Sequence, residues 1–127
     1  MTLQVRFVPA ALDELHAADD WYEQQAPGVG AEFVAEVWQV IERTAEWPAL
    51  APRVAVPGTS SEVRRAALRR FPYGLVYLVR DDVLWVVAVA LRYQHATEGR
   101  DRALADAMAG LADGAKVVKI TTAGTGT

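Results

Sequence analysis

VRRAALRRFPYGLVYLVRDDVLWVVAVAL, residues 63–91, is the part of the sequence that decides the fold. Three β-rich segments within it predict three strands, at residues 63–70, 73–80 and 83–91. Asp81-Asp82 separates the last two segments and predicts a tight turn, so that these strands form a hairpin. The third segment is apolar throughout, which is typical of a strand buried on both faces.

The sequence before these strands changes from the spacing of a strand to that of two helices. Residues 3–8 alternate apolar and polar side chains, which predicts a half-buried strand broken by Pro9. Residues 10–25 have the apolar spacing of a helix, and a second helix follows the breaker APGVG at 26–30 and runs to about Trp47. Two helices with so short a connection predict an antiparallel helical hairpin.

The remaining segments complete the predicted order β-α-α-β-β-β-α. Residues 49–62 predict a loop, residues 98–111 a third helix and residues 116–120 one more short strand. This order predicts an α+β fold, in which an antiparallel four-stranded sheet packs against the N-terminal helical hairpin and a C-terminal helix is added. We expect a single domain over residues 1–112 and a C-terminal extension over 113–127 that ends in a flexible tail.

The composition indicates the class of protein. The chain has 127 residues, of which 52% are hydrophobic and 23% charged, as expected for a soluble globular protein with a core. Cysteine is absent, which excludes disulfides and thiolate chemistry and fits a reducing cytoplasm. The N-terminal residues do not resemble a signal peptide, and the apolar run at 83–91 is too short for a membrane helix.

The charges are divided unevenly along the chain. Residues 1–62 hold ten acidic and three basic side chains, whereas residues 63–102 hold eight arginines and four acidic side chains. Either the basic part meets an anionic partner, or the two halves attract each other in the folded protein. Every basic residue before Lys116 is an arginine, whose guanidinium suits carboxylate or phosphate recognition but not proton transfer near neutral pH.

Paired arginines mark the segment 63–70, neither face of which is cleanly apolar. We therefore expect this strand at a sheet edge or along a groove. The arginines are Arg64, Arg65, Arg69 and Arg70. They are candidates for contacts with a partner, and the alternatives are pairing with the acidic helices or simple solvation.

The aromatic residues have separate expected roles. Trp21 and Tyr22 are adjacent on a helix and cannot face the same way, so one belongs in the core and the other at the surface or on a partner. Tyr77 and Trp85 are expected in the core. Phe71-Pro72-Tyr73 predicts a packed strand entry, since proline is suited to the start of a strand.

Four segments together resemble the RelE/ParE superfamily of bacterial toxin–antitoxin toxins, and most closely its ParE-like branch. They are WYEQQAPGVGAEF (21–33), VRRAALRRFPYGLVYLV (63–79), DDVLWVVAVA (82–90) and GRDR (99–102). The resemblance covers residues 3–102. It implies a small toxin that a cognate antitoxin, made from an adjacent gene, binds and neutralises.

The resemblance leaves two modes of action. ParE-like members are described as poisons of DNA gyrase, whereas RelE-like members cleave mRNA on the ribosome. We expect target or antitoxin contacts at Arg64, Arg65, Arg69, Arg70, Arg92, Tyr93, Trp21 and Tyr22. In the nuclease alternative, the cations and an acid or base would come from Arg65, Arg69, Arg92, Tyr93 and His95. No lysine precedes residue 116, which ranks the metal-independent nuclease second.

The sequence also departs from the ParE-like pattern after the last strand. Leu91 stands where a histidine is expected, and Gly99 lies near the position of an expected tryptophan. A second alternative is therefore a weakened toxin or an inactive interaction domain of the same fold. His16 and His95 lie far apart, so we expect no metal site, and no cofactor motif is present. We expect neither membrane contact nor sequence-specific DNA binding by the toxin itself.

Overall fold

A computed structural model describes residues 2–91 and the strand at 118–119. Two helices and six strands follow one another as β1 Gln4–Phe7, α1 Pro9–Gln25, α2 Val29–Glu46, β2 Arg53–Val54, β3 Val63–Ala67, β4 Tyr73–Arg80, β5 Val83–Leu91 and β6 Val118–Lys119. The predicted α+β class is confirmed. The predicted helix at residues 98–111 lies outside the described residues, and the domain boundary at 112 stays a prediction.

Over the described residues the sheet has six strands and is mixed, so the expectation of four antiparallel strands was wrong. Its strand order is β2-β3-β4-β5-β1-β6, and β1 runs parallel to β5. A parallel neighbour needs a long crossover connection, which the helical hairpin after β1 begins to supply. The two-residue β2 lies inside the predicted loop, and β6 lies within the predicted strand at 116–120.

The helical hairpin forms as the apolar spacing predicted. Pro9 is the first residue of α1 rather than a break before it, because an N–H at that position would have no partner inside the helix. The apolar stripe of α2 is buried, namely Phe33, Val37, Val40, Ile41 and Thr44. Between the helices, the Glu23 carboxylate accepts the backbone N–H groups of Gly28 and Gly30, at 2.9 Å and 3.0 Å.

The β4–β5 hairpin is confirmed with the predicted bounds. Asp81 and Asp82 both have positive φ, 54° and 63°, as the two central residues of a type I′ turn require. The ladder runs from the Arg80–Val83 pair to the Tyr73–Leu91 pair, with one irregularity between Val76 and Tyr77. This hairpin is the centre of the sheet and fixes the strand β3 beside it.

Strand β3 is shorter than predicted, because it ends at Ala67 instead of residue 70. Residues 68–72 form a turn that leads into β4, and the Leu68 N–H donates to the Tyr73 carbonyl across its base. This segment is called the arginine turn below. Strand β3 is also not the outermost strand, since β2 pairs with its first residues.

A cluster of aromatic rings lies where the helices meet the arginine turn. Tyr22 of α1 packs against Phe33 of α2 and against Phe71, with ring centroids 5.2 Å and 4.8 Å apart. Phe71 is buried, which confirms the packed strand entry. Tyr77 is buried as predicted, whereas Trp85 is only half-buried.

Within the described ranges, no helix is long and apolar enough to cross a membrane.

Candidate partner-binding site

The Arg64 side chain binds other groups of the protein itself. Its guanidinium donates to the carbonyl oxygen of Ala51 at 2.6 Å and to the Glu62 carboxylate at 2.9 Å. These contacts tie the loop 49–62 to strand β3. Because the side chain is largely enclosed, it offers a partner little of its charge.

Arg70 also has internal partners. Its guanidinium lies 3.5 Å from the Glu32 carboxylate and 3.4 Å from that of Glu36, both on α2. It also lies over the Phe71 ring, 5.6 Å from the centroid. Here helix carboxylates pair with an arginine of the 63–70 segment, as the alternative of internal pairing predicted.

Glu36 organises the arginine turn. Its side chain is buried, with only 5% of the residue exposed. The carboxylate accepts the backbone N–H groups of Arg69 and Arg70. These backbone N–H groups replace the water that would solvate the carboxylate, and their hydrogen bonds hold the turn against α2.

The sequence analysis missed Glu36, although a signal was present. Glu36 follows Phe33 by three residues and precedes Val37 and Val40, so it lies on the apolar stripe of α2. An acidic residue at a core position needs donors from elsewhere in the fold. Glu14 of α1 is a similar case, since its carboxylate accepts the Val89 N–H of β5 at 2.8 Å.

Arg69 differs from Arg70, whose exposed guanidinium is paired with helix carboxylates. The Arg69 backbone N–H is held by Glu36, while its side chain is exposed. Over residues 2–91, no hydrogen bond or ion pair engages the Arg69 guanidinium. A fixed backbone and an exposed cation are what recognition of a partner carboxylate requires.

Trp21 extends this exposed surface onto α1. The residue is 55% exposed, and its ring packs edge-on against Tyr22, with centroids 5.1 Å apart. Trp21 is therefore the surface residue of the pair, while Tyr22 is half-buried and packs against the core. Tyr22 and Phe71 connect Trp21 to the arginine turn, and we call Trp21 and Arg69, with the two rings between them, the recognition surface.

Arg65 extends across the sheet from β3. A Cβ atom on Gly74 would be 2.5 Å from the Arg65 Cζ, so the guanidinium covers that glycine directly. It also donates to the Ala90 carbonyl oxygen at 3.2 Å. Glycine at position 74 therefore makes room for an arginine that crosses from β3 over β4 to β5.

The described tyrosines do not supply a base near neutral pH. Burial raises the pKa of Tyr22 above 10.0, and the nearby Tyr73 adds to the effect. Burial also raises the pKa values of Tyr73 and Tyr77. The three phenols stay neutral over the physiological range and can donate hydrogen bonds, as the Tyr77 hydroxyl does to the Pro48 carbonyl.

Three predicted site residues, Arg92, Tyr93 and His95, lie outside the described residues, and their roles stay predictions. His16 is exposed on α1. Residues 2–91 contain no group of three or more histidine, aspartate or glutamate side chains placed to bind a metal ion.

Comparison with known proteins identifies the family. A comparison with curated protein sequences gives no match. One similar solved structure is the chromosomal ParDE TA system from P. aeruginosa, with a TM-score of 0.60 and 19% sequence identity. The match covers 71% of this chain and 96% of that one, and it shows that the fold is shared. Residues 5–95 match the family described as the ParE toxin of type II toxin-antitoxin system, parDE, and the chain belongs to this family.

Proposed function

We propose that the protein is the toxin of a type II pair, that a cognate antitoxin neutralises it, and that it acts in the cytoplasm by binding DNA gyrase. The observation that carries the proposal is the recognition surface. It places an exposed tryptophan and an exposed arginine on a rigid base within a chain of the ParE toxin family. Tryptophan and arginine are the residues most often found at the energetic centre of protein interfaces.

The internal contacts narrow the set of candidate contact residues. Arg64 and Arg70 are engaged with the protein's own carboxylates. Arg69 and Trp21 are the described candidates for the gyrase contact, and Arg65 is a further candidate. We propose that Arg69 meets an acidic side chain of gyrase while Trp21 enters an apolar pocket.

Binding is favoured over catalysis by the chemistry of the described candidates. Arginine stabilises negative charge but keeps its proton near neutral pH, and the described tyrosines have raised pKa values. A nuclease would need its acid and base from Tyr93 and His95. The mRNA endonuclease of the RelE type is therefore the competing outcome in the test.

The test is induced expression without the antitoxin, with three readouts. We expect growth arrest, relaxation of a reporter plasmid and intact mRNA. Discrete ribosome-dependent mRNA cuts that disappear in Arg92→Ala would replace the gyrase proposal with the nuclease. Normal growth with supercoiled plasmid and intact mRNA would identify an inactive interaction domain.

A further inference from the structure

A groove lies at the edge of the sheet where strand β2 begins. It is formed by the end of α2, the segment after it and the outer edge of β3, and it encloses about 320 Å³. The residues used below are Arg43, Trp47, Leu50, Val54, Arg65 and Ala67. We call this feature the edge groove.

The edge groove contains an open strand edge. The Arg65 N–H points outward and donates to the Pro52 carbonyl at 3.0 Å. Alternate residues of a strand direct their backbone groups the same way, so the N–H and C=O of Ala67 also point outward. Strand β2 begins at Arg53, and the described residues supply no strand opposite Ala67. Such an edge is a template for an added strand.

The surface beside this edge is apolar and exposed. Trp47 is 57% exposed and Leu50 is 75% exposed, the two highest values among the described large hydrophobic residues. They follow α2 directly and flank the open edge. An added strand would place alternate side chains against them, as β-strand addition requires.

The charge of the groove selects the partner. Of the described residues that line it, Arg43 and Arg65 are cationic and none is acidic. Arg43 is exposed, and Arg65 already contacts the sheet. An extended segment with apolar residues and at least one carboxylate therefore complements the groove.

We infer that the edge groove binds an extended, acidic and apolar segment of the antitoxin as an added strand. The inference rests on the proposed function. Ala67 is two residues before Arg69, so a segment in the groove reaches the arginine turn. Neutralisation then follows from occupation of the groove next to the recognition surface, and not from any change in the toxin's fold.

The test uses the full chain co-expressed with the antitoxin encoded beside it. Leu50→Glu places a carboxylate in the groove, and Trp47→Ala removes the largest apolar contact. We expect each variant to arrest growth without antitoxin as the wild type does. With antitoxin present, we expect both to escape neutralisation, with antitoxin affinity reduced about 30-fold. Val79→Glu is the matched control, because Val79 is exposed but does not line the groove.

Amide hydrogen exchange tests strand addition directly. We expect the Ala67 amide to exchange slowly in the complex and faster in the isolated toxin. Normal neutralisation of Leu50→Glu and Trp47→Ala, or an unprotected Ala67 in the complex, would overturn the inference and leave the proposed function intact. Protection of Ala67 in toxin alone, rising with concentration, would assign the groove to a second copy. A wild type without toxicity would instead refute the proposed function.

Discussion

Glu36→Gln isolates the contribution of the buried carboxylate that holds the arginine turn. The carboxylate accepts the N–H groups of Arg69 and Arg70 and also contacts the Arg70 guanidinium. Glutamine keeps the volume of the side chain but replaces one oxygen with an amide group. One carboxylate oxygen accepts both backbone N–H groups, so a glutamine oxygen would keep them only as neutral hydrogen bonds. The amide would then face the Arg70 guanidinium, which is another donor.

The expected loss of stability follows from these contacts. A hydrogen bond to a charged group contributes about 1.5–3 kcal/mol and a neutral one about 0.5–1.5 kcal/mol, and a buried donor without a partner adds a desolvation penalty. Because Arg70 is largely exposed, the lost ion pair itself adds little. We expect Glu36→Gln to lower the free energy of unfolding by about 2 kcal/mol.

The matched control is Glu32→Gln, on the same helix and against the same arginine. The Glu32 carboxylate is exposed and lies 3.5 Å from the Arg70 guanidinium, so its loss should cost less than about 1 kcal/mol. Urea unfolding followed by circular dichroism measures both variants. Equal losses for the two, or a loss below about 0.5 kcal/mol for Glu36→Gln, would refute the claim that Glu36 fixes the turn.

Three further changes test separate parts of the fold. Gly74→Ala should displace Arg65 and lower the free energy of unfolding by about 1 kcal/mol. In the Arg65→Ala background the same change should lower it little further, and additive losses in a double-mutant cycle would contradict the contact. Asp82→Gly should raise stability by up to about 1 kcal/mol, since φ is positive there, and an unchanged urea midpoint would argue against strain in the turn. The contribution of Tyr22, Tyr73 and Tyr77 to the free energy of unfolding should be constant below pH 10.0 and fall as pH rises through their raised pKa values. Tyr77→Phe should reduce this alkaline loss, and an unchanged slope would contradict the raised pKa of Tyr77.

Local patterns were sufficient to predict the helical hairpin and the β4–β5 hairpin. The stripe from Phe33 to Thr44 reports burial within a single helix, and Asp81-Asp82 reports a turn within four residues. Both signals lie in neighbouring residues. The parallel pairing of β1 with β5 joins segments about 80 residues apart, and periodicity does not specify which strand becomes a neighbour.

The end of β3 depends on a contact that is also distant in sequence. The segment 63–70 looks like one strand, but Glu36 takes the backbone N–H groups of Arg69 and Arg70. Strand β2 has two residues, which is too short for a periodic signal. Long-range hydrogen bonds therefore set the end of β3, which the sequence pattern could not predict.

The predicted candidate site included four arginines of the 63–70 segment, and the structure separates them. Arg64 and Arg70 find internal carboxylates, Arg65 covers Gly74, and Arg69 faces solvent. The sequence offers no basis for this division, because it depends on which carboxylate each guanidinium reaches in three dimensions.

Inhibition of purified gyrase tests the central claim most directly. In a supercoiling assay with no other protein present, we expect the wild-type protein to block supercoiling. We expect Arg69→Ala to need at least about tenfold more protein for the same effect, while Arg64→Ala inhibits as the wild type does. Full supercoiling at saturating wild-type protein, or equal inhibition by the wild type and Arg69→Ala, would contradict the account.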